Sequence, residues 1–157
     1  MKIAVLGAGA FGTAMAVALA RGDRPVGLWA RDAMAAAHIA ATRENTTRLP
    51  GVTLPKTVSV SANIDDFAAA EILLLAMPMQ ALSAFVTSHA THLTGRRLVA
   101  CAKGIDLASG RWPVAVLSAV PGVQHPSVLT GPSFADDIAR GLPTALTLAC
   151  ADDSVGF

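Results

Sequence analysis

The chain has 157 residues, a length that fits one domain around a single hydrophobic core, and we treat residues 1–157 as one domain. Its 12 Lys and Arg nearly balance its 11 Asp and Glu, and the absence of a basic run argues against nucleic acid as a partner. Mean hydropathy is +0.52, largely because alanine is abundant, but the longest strongly apolar run, at 72–79, is too short to span a bilayer, so we expect a soluble protein without a membrane partner.

The first stretch, MKIAVLGAGAFGTAMA, has two interpretations. A lysine, an apolar run and Ala-Leu-Ala at 18–20 satisfy the loose form of a secretory leader. Against this, Gly7, Gly9 and Gly12 interrupt the run at Gly-x-Gly-x-x-Gly spacing, directly after a strand-like segment and within a unit of βαβ size. We therefore favour the first strand, turn and helix of a dinucleotide site.

The three glycines have separate physical roles in such a site. Gly7 makes the tight turn off the strand, Gly9 lets the backbone approach the cofactor diphosphate, and Gly12 lets the helix pack closely on the strand. The phosphates then lie at the positive end of the helix, where free backbone N–H groups point at them.

Short apolar runs alternate with longer, mostly alanine-rich stretches along the whole chain. Strands are predicted at 2–7, 25–30, 71–77, 96–102, 126–131 and 143–149. Helices are predicted at 10–22, 32–44, 63–69, 78–90, 111–120 and 132–140. This alternation predicts an α/β fold of the Rossmann type, a doubly wound, mainly parallel sheet with helices on both faces and binding sites at the carboxyl ends of its strands.

The end of the second predicted strand bears on the choice of cofactor. NAD sites usually place an acidic side chain about 20 residues beyond the glycines, but the sequence there is Leu-Trp-Ala-Arg-Asp, with Arg31 at the expected position. A guanidinium suits a 2′-phosphate, so NADP(H) is preferred, while the adjacent Asp32 keeps NAD(H) open. The simpler alternative is that Arg31 is a solvated residue at a strand end.

The stretch 43–55 is the longest irregular segment, with two X-Pro units and a Pro-Gly turn. It has two interpretations of equal weight. It is either a plain connector or a mobile cover over a nucleotide site.

Cysteine and histidine usage indicates no metal. Cys101 and Cys150 are far apart and form no CxxC pair, so neither a disulfide framework nor a zinc site is predicted, and a reducing cytoplasm is the simplest setting. Only His89 and His92 lie at helical spacing. No nearby carboxylate or cysteine completes a ligand set, so we interpret both as solvated residues at a helix end.

Five segments in order carry a resemblance to a known family. These segments are VLGAGAFGTAMA, LPGVTLP, LLLAMPMQAL at 73–82, ACAKGID at 100–106 and LTGPSFADDIARGLPTALTLA at 129–149. With them the chain resembles the amino-terminal domain of bacterial NAD(P)-dependent glycerol-3-phosphate dehydrogenase. The likeness covers nearly the whole chain. Lys-Gly-Ile-Asp and Gly-Pro-Ser-Phe-Ala are its most specific parts, because each follows a predicted strand at its carboxyl end.

The resemblance implies roles for individual residues. Cofactor contacts are implied for Ala10, Phe11, Arg31, Lys103 and Ala135, although family members often have a hydroxyl side chain where this sequence has Ala10. Substrate contacts are implied for Lys103, Gly131 and Ser133. Lys103 is the catalytic candidate, because an ammonium group neutralises a substrate phosphate or polarises a carbonyl oxygen as hydride arrives. The simpler alternative for Gly-Pro-Ser-Phe-Ala is an ordinary helix start with Pro132 in its first turn.

The resemblance also implies an activity. Enzymes of this family interconvert sn-glycerol 3-phosphate and dihydroxyacetone phosphate, for glycerophospholipid synthesis. Their general acid/base lysine lies in a second, helical domain. We expect this domain to be absent from the chain, so residues 1–157 alone should be inactive. A homodimer of the full-length enzyme is left open. Two alternatives stand: another dehydrogenase of the 6-phosphogluconate or ketopantoate type, and a non-catalytic nucleotide-sensing module.

Overall fold

The computed structural model describes residues 2–150. In chain order its strands and helices are β1 (Ile3–Leu6), α1 (Ala10–Leu19), β2 (Val26–Trp29), α2 (Ala33–Thr42), β3 (Glu44–Asn45), β4 (Leu49–Thr53), β5 (Val58–Ser61), β6 (Ile72–Leu75), α3 (Met79–Ser88), α4 (Ala90–Leu93), β7 (Arg97–Ala100), α5 (Pro113–Leu117), β8 (Gln124–Thr130), α6 (Ala135–Arg140) and β9 (Thr147–Cys150). A 3₁₀ turn at Ile64–Phe67 lies between β5 and β6. No helix within this span is both long enough and apolar enough to cross a bilayer.

Seven strands form the main sheet, in the order β5-β2-β1-β6-β7-β8-β9. All neighbours pair in parallel except β8 and β9, which are antiparallel. From β1 the chain winds outward through β2 and β5, then returns to the other side of β1 and winds through β6, β7 and β8. This is the strand order of doubly wound dinucleotide-binding sheets, and it confirms the predicted fold. The winding reverses between β1 and β6, and ligands bind in the crevice that such a reversal leaves.

Apolar clusters on both faces of the sheet form the core. Successive side chains of a strand point to opposite faces, so Leu6 of β1 belongs to one cluster and Val5 to the other. The first cluster packs α3 and α5 against the sheet, with Leu82 of α3 fully buried. The second packs α1, α2 and α6 against the opposite face, with Met15 and Ile39 among its buried members. Helices therefore cover both faces of the central strands.

The sequence analysis missed three strands, all at margins of the fold. β5 reads Val-Ser-Val-Ser and buries only Val58 fully, so it lacks the continuous apolar run that marks a central strand. β3 and β4 form a two-stranded antiparallel hairpin inside 43–55, where proline and glycine indicate irregular chain. The predicted strand at 143–149 begins only at Thr147 and runs antiparallel to its neighbour.

Predicted helices are shorter in the structure. The helix at 63–69 is the single 3₁₀ turn, and the helix at 111–120 is reduced to α5. The helix at 132–140 begins only at Ala135. Gly131 precedes a proline, which disfavours helical backbone, and the Ser133 N–H donates to the Gly131 carbonyl at 3.0 Å. Pro132 therefore lies before the helix, and the expectation that it stands in the first turn is wrong, although a helix does start within this segment, at Ala135.

Gly12 is required by close packing rather than by a ligand. A Cβ there would lie 1.9 Å from the Gly7 carbonyl oxygen, and backbone cannot yield as a side chain does. We expect Gly12→Ala to lower the free energy of unfolding by about 1–3 kcal/mol or more, as for other overpacked sites. Gly9→Ala is the matched control, because no atom lies within 4 Å of its added Cβ. Urea unfolding of both variants is the measurement; wild-type stability of Gly12→Ala would contradict this packing.

Candidate functional site

A cleft of about 350 Å³ opens at the carboxyl ends of β1, β6, β7 and β8, at the reversal of winding. Four segments form its walls: residues 9–12 after β1, residues 76–78 after β6, Cys101 and Lys103 after β7, and Leu129, Thr130, Gly131 and Ser133 at the end of β8, with Leu146 beside them. The sheet topology thus brings most of the predicted site residues into one cavity, although they are spread over more than a hundred positions of the sequence.

The turn between β1 and α1 has the geometry that the three glycines predict. Gly7 has φ +126°, and a Cβ there would lie 2.3 Å from the Ala76 carbonyl oxygen, so the turn packs directly on the loop after β6. Its N–H donates to the Trp29 carbonyl at 3.0 Å. Gly9 is the N-cap of α1, and the space beside its Cα is open. Residues 10–12 supply first-turn N–H groups that have no partner within the helix, and they line the cleft. Backbone amides arranged in this way bind anions.

The loops after β7 and β8 place Lys103, Gly131 and Ser133 side by side. The Lys103 side chain is exposed, and its Nζ donates to the Gly131 carbonyl oxygen at 3.4 Å. The Ser133 Oγ is buried and has no hydrogen-bond partner among the described residues. A buried hydroxyl without a partner costs about 1–3 kcal/mol, a cost that a ligand accepting or donating at this atom would remove. The cleft therefore presents an exposed positive charge and an unsatisfied hydroxyl next to each other.

The loop that follows Lys103 is held at both ends by side chains. Gln80, in the first turn of α3, donates from Nε2 to the Ile105 carbonyl at 2.9 Å and accepts from the Leu107 N–H at 3.0 Å. Asp106 is buried and accepts from the Ser109 N–H at 3.2 Å. These contacts hold the backbone of the loop that follows Lys103, while the lysine side chain itself is exposed.

Cys101 lines the cleft, although the sequence analysis considered it only for a disulfide or a zinc site. Burial raises the pKa of its thiol to about 12, because desolvation disfavours the thiolate. The thiol is therefore protonated at neutral pH and is neither a nucleophile nor an effective acid. Its contribution to the cleft is to its apolar wall.

Three residues predicted to form the cofactor site lie outside the cleft walls: Gly7, Arg31 and Ala135. Arg31 is exposed just after β2, at the carboxyl edge of the sheet, and makes no hydrogen bond or ion pair within residues 2–150. Asp32 caps α2, accepting from the Ala35 N–H at 2.7 Å, so its carboxylate is already engaged. Ala135 is half-buried at the start of α6, where it packs against the apolar cluster that contains α1.

The histidines are not simply solvated, and that part of the sequence interpretation is wrong. His89 stacks on Phe85 with ring centroids 4.2 Å apart, and His92 Nε2 lies 2.9 Å from Asp65 Oδ1, a carboxylate distant in sequence. Within residues 2–150, no three or more His, Cys, Asp or Glu side chains come together in a group that would hold a metal ion.

The stretch 43–55 contains the β3–β4 hairpin, which lies beside α1 and α6. None of its residues lines the cleft. Asn45 nevertheless reaches the glycine turn, where its Nδ2 donates to the Ala8 carbonyl at 2.9 Å and to Thr13 Oγ1 at 2.8 Å. The sequence carries no signal for this contact, because it joins residues more than 30 positions apart.

Comparison with known proteins agrees with this geometry. Residues 2–156 match the family described as NAD-dependent glycerol-3-phosphate dehydrogenase N-terminus. The chain belongs to this family. The glycerol-3-phosphate dehydrogenase, NAD(P)+, of Ruegeria sp. strain TM1040 is 54% identical over 99% of this chain, and that of Roseobacter denitrificans is 50% identical over 97%. The resemblance stated from the sequence motifs is thereby confirmed.

A solved structure extends the comparison to three dimensions. Glycerol-3-phosphate dehydrogenase from Coxiella burnetii superposes with a TM-score of 0.90 and 29% identity, over 98% of this chain and 48% of that one. The chain likewise spans about half the length of the curated relatives, 48% and 47% for the two named above. The likeness to glycerol-3-phosphate dehydrogenases thus covers their first half.

Proposed function

We propose that this chain is the cofactor-binding half of a glycerol-3-phosphate dehydrogenase. It binds NADPH or NADH in the cleft, and the full-length enzyme interconverts sn-glycerol 3-phosphate and dihydroxyacetone phosphate for glycerophospholipid synthesis. The observation that carries the proposal is the position of the cleft: it lies at the winding reversal of a sheet from this family, with the first amides of α1 in its wall.

The residues present fit a dinucleotide diphosphate. A side chain at position 9 would fill the space beside the turn, and glycine leaves it open for phosphate oxygens. The N–H groups of Ala10, Phe11 and Gly12 supply donors at the positive end of a ten-residue helix. Because Ala10 has no hydroxyl, its amide is the donor that this position offers.

Lys103 and Ser133 fit the phosphate and oxygen atoms of a small substrate. When bound, the nicotinamide ring supplies or accepts the hydride of this reaction. The Lys103 ammonium group stabilises negative charge on a substrate phosphate or carbonyl oxygen, and the Ser133 hydroxyl and the Gly131 backbone orient the substrate beside it. The described residues thus supply binding and electrostatic stabilisation.

Arg31 is proposed to set the preference between the two cofactors. Its guanidinium has no partner within the described residues, whereas Asp32 is engaged as a helix cap. We expect Arg31→Ala to weaken NADPH binding more than NADH binding, by about 1–3 kcal/mol for a charge-assisted contact. Calorimetric titration with each cofactor measures the difference.

Arg24→Ala is the matched control for this prediction. Arg24 is exposed before the amino end of β2, so its removal changes net charge equally but at the opposite edge of the sheet. We expect it to leave both affinities unchanged. Equal losses of NADPH and NADH affinity in Arg31→Ala would show that Arg31 does not read the 2′-phosphate.

The setting of the parent enzyme follows from the same proposal. Its partners are small-molecule substrates and a nicotinamide cofactor, and neither nucleic acid nor a membrane is expected to bind. We place it in the cytoplasm, which agrees with Cys101 and Cys150 being free thiols. A homodimer of the full-length enzyme stays open, and its mass by light scattering tests it.

A further inference from the structure

We propose that Asn45 is a positioning residue of the cofactor site, whose side-chain amide fixes the direction of the Gly9 backbone N–H. The role rests on the proposed function, because that N–H has a task only if the glycine turn binds a dinucleotide diphosphate. Asn45 lies outside the cleft and acts through the turn.

The Asn45 side chain is buried, with 3% of its surface exposed, and it inserts from β3 against the start of α1. Its Nδ2 donates one hydrogen bond to the Ala8 carbonyl at 2.9 Å and another to Thr13 Oγ1 at 2.8 Å. An amide nitrogen carries two protons, so both are used. A carboxylate at this position would donate none.

The two acceptors stand on either side of Gly9. Ala8 belongs to the chain that leaves β1, and Thr13 lies in the first turn of α1, with its own N–H donating to the Gly9 carbonyl at 2.9 Å. One side chain therefore ties the strand side of the turn to the helix side. The glycine turn, which has little stiffness of its own, gains its orientation from this contact.

The direction of the Gly9 N–H follows from peptide geometry. The Ala8 carbonyl and the Gly9 N–H belong to one planar peptide unit, and in a trans peptide they point in opposite directions. Asn45 holds the carbonyl toward the hairpin, so the N–H is directed away from the hairpin, and Gly9 is a residue of the cleft wall. A donor fixed before the ligand arrives binds more tightly than one that must be ordered on binding.

The hairpin itself is anchored by contacts that do not involve Asn45. Arg43 donates from Nη2 to the Val58 carbonyl at 2.9 Å, and the Leu54 N–H donates to the Arg43 carbonyl at 2.8 Å. Glu44 Oε1 accepts from the Gly51 N–H at 2.7 Å within the hairpin. The position of the hairpin and the orientation of the turn can therefore be perturbed separately.

The test compares two variants and two ligands on the whole chain. Asn45→Ala removes the donor, and Val52→Ala removes buried apolar volume from β4 of the same hairpin without touching Ala8. NADPH contains the diphosphate, whereas adenosine 2′-monophosphate lacks it. We expect Asn45→Ala to weaken NADPH binding about tenfold or more and to leave binding of the monophosphate unchanged. Val52→Ala should lower the free energy of unfolding and change neither affinity.

Each other outcome is decisive. Wild-type affinity of Asn45→Ala for NADPH, or an equal loss for both ligands, would overturn the positioning role. Absence of NADPH binding in the wild-type chain would overturn the proposed function and this role with it. If Asn45→Ala does not fold, Asn45→Asp takes its place, because it keeps the shape of the side chain but has no donors. Charge repulsion alone would weaken the binding of NADPH and of the monophosphate alike, because both ligands carry phosphate. A loss confined to NADPH therefore still reports the positioning role.

Discussion

Gly9→Val is expected to weaken NADPH binding strongly in a chain that still folds. The backbone at Gly9 has φ −73° and ψ 179°, a conformation that valine adopts readily, and an added Cβ meets no atom within 4 Å. Its methyl groups would occupy the space beside the turn that a diphosphate needs. If the backbone cannot retreat, the overlap costs about 1–3 kcal/mol or more, a loss of roughly fivefold to over a hundredfold in affinity.

Gly12→Ala separates this effect from a defect in folding. At position 12 the added atom meets the Gly7 carbonyl, so stability falls before binding is considered. Gly9→Val should show the reverse, with a nearly unchanged urea midpoint and weakened NADPH binding by calorimetric titration. A folded Gly9→Val protein that binds NADPH as tightly as the wild type would mean that the diphosphate does not lie at this turn.

The second large effect is expected in turnover: the 157-residue chain should bind NADPH and fail to reduce dihydroxyacetone phosphate. Hydride transfer to a carbonyl also requires a positioned proton donor and a pocket that holds the substrate. In the described part of the cleft, Lys103 is the exposed cationic donor, and the Cys101 thiol, with its raised pKa of about 12, is too weak an acid to help. Lys103 cannot both bind the substrate phosphate and deliver a proton.

Loss of general acid catalysis typically lowers a rate by about 10²–10⁴, and loss of substrate positioning lowers it further. Oxidation of NADPH by the chain with excess dihydroxyacetone phosphate should therefore stay at the background rate, while NADPH fluorescence reports binding. Appreciable turnover would contradict this division of labour. Binding without turnover is also what a nucleotide-sensing module would show. Fusing the second half of a relative's sequence to this chain distinguishes an enzyme half from a sensor. The fusion is active if the chain is an enzyme half and inactive if it is a sensor.

The central sheet was predictable because its strands are buried on both faces. Segments such as Ile72–Leu75 are uninterrupted apolar runs, and a run of that length between glycine, proline or charged residues indicates a strand of a parallel sheet. The margins were not predictable in the same way. β5 alternates valine and serine because its valines face the apolar cluster on one side of the sheet, whereas its serines lie on the other, less buried side. The β3–β4 hairpin is stabilised by contacts with α1 that no local pattern encodes.

The candidate site likewise has parts that sequence motifs predict and parts that depend on tertiary packing. Glycine spacing predicts the turn because Gly7 and Gly12 have no room for a side chain beside the backbone they contact, whereas Gly9 leaves open space for a ligand. Lys103 and Ser133 were found through motifs at strand ends, and parallel topology brings those ends together. Asn45 was missed because its contacts depend on where the hairpin packs, which is a tertiary property.

Titration of ¹⁵N-labelled protein with NADPH, followed through the backbone amide resonances, tests most directly whether this cleft binds the dinucleotide. The account predicts saturable shifts concentrated at Gly9, Ala10 and Phe11 of the glycine turn and at Lys103 and Gly131 across the cleft, with the amino ends of the strands unaffected. No shifts in a folded protein, or shifts concentrated at the amino ends of the strands, would contradict it.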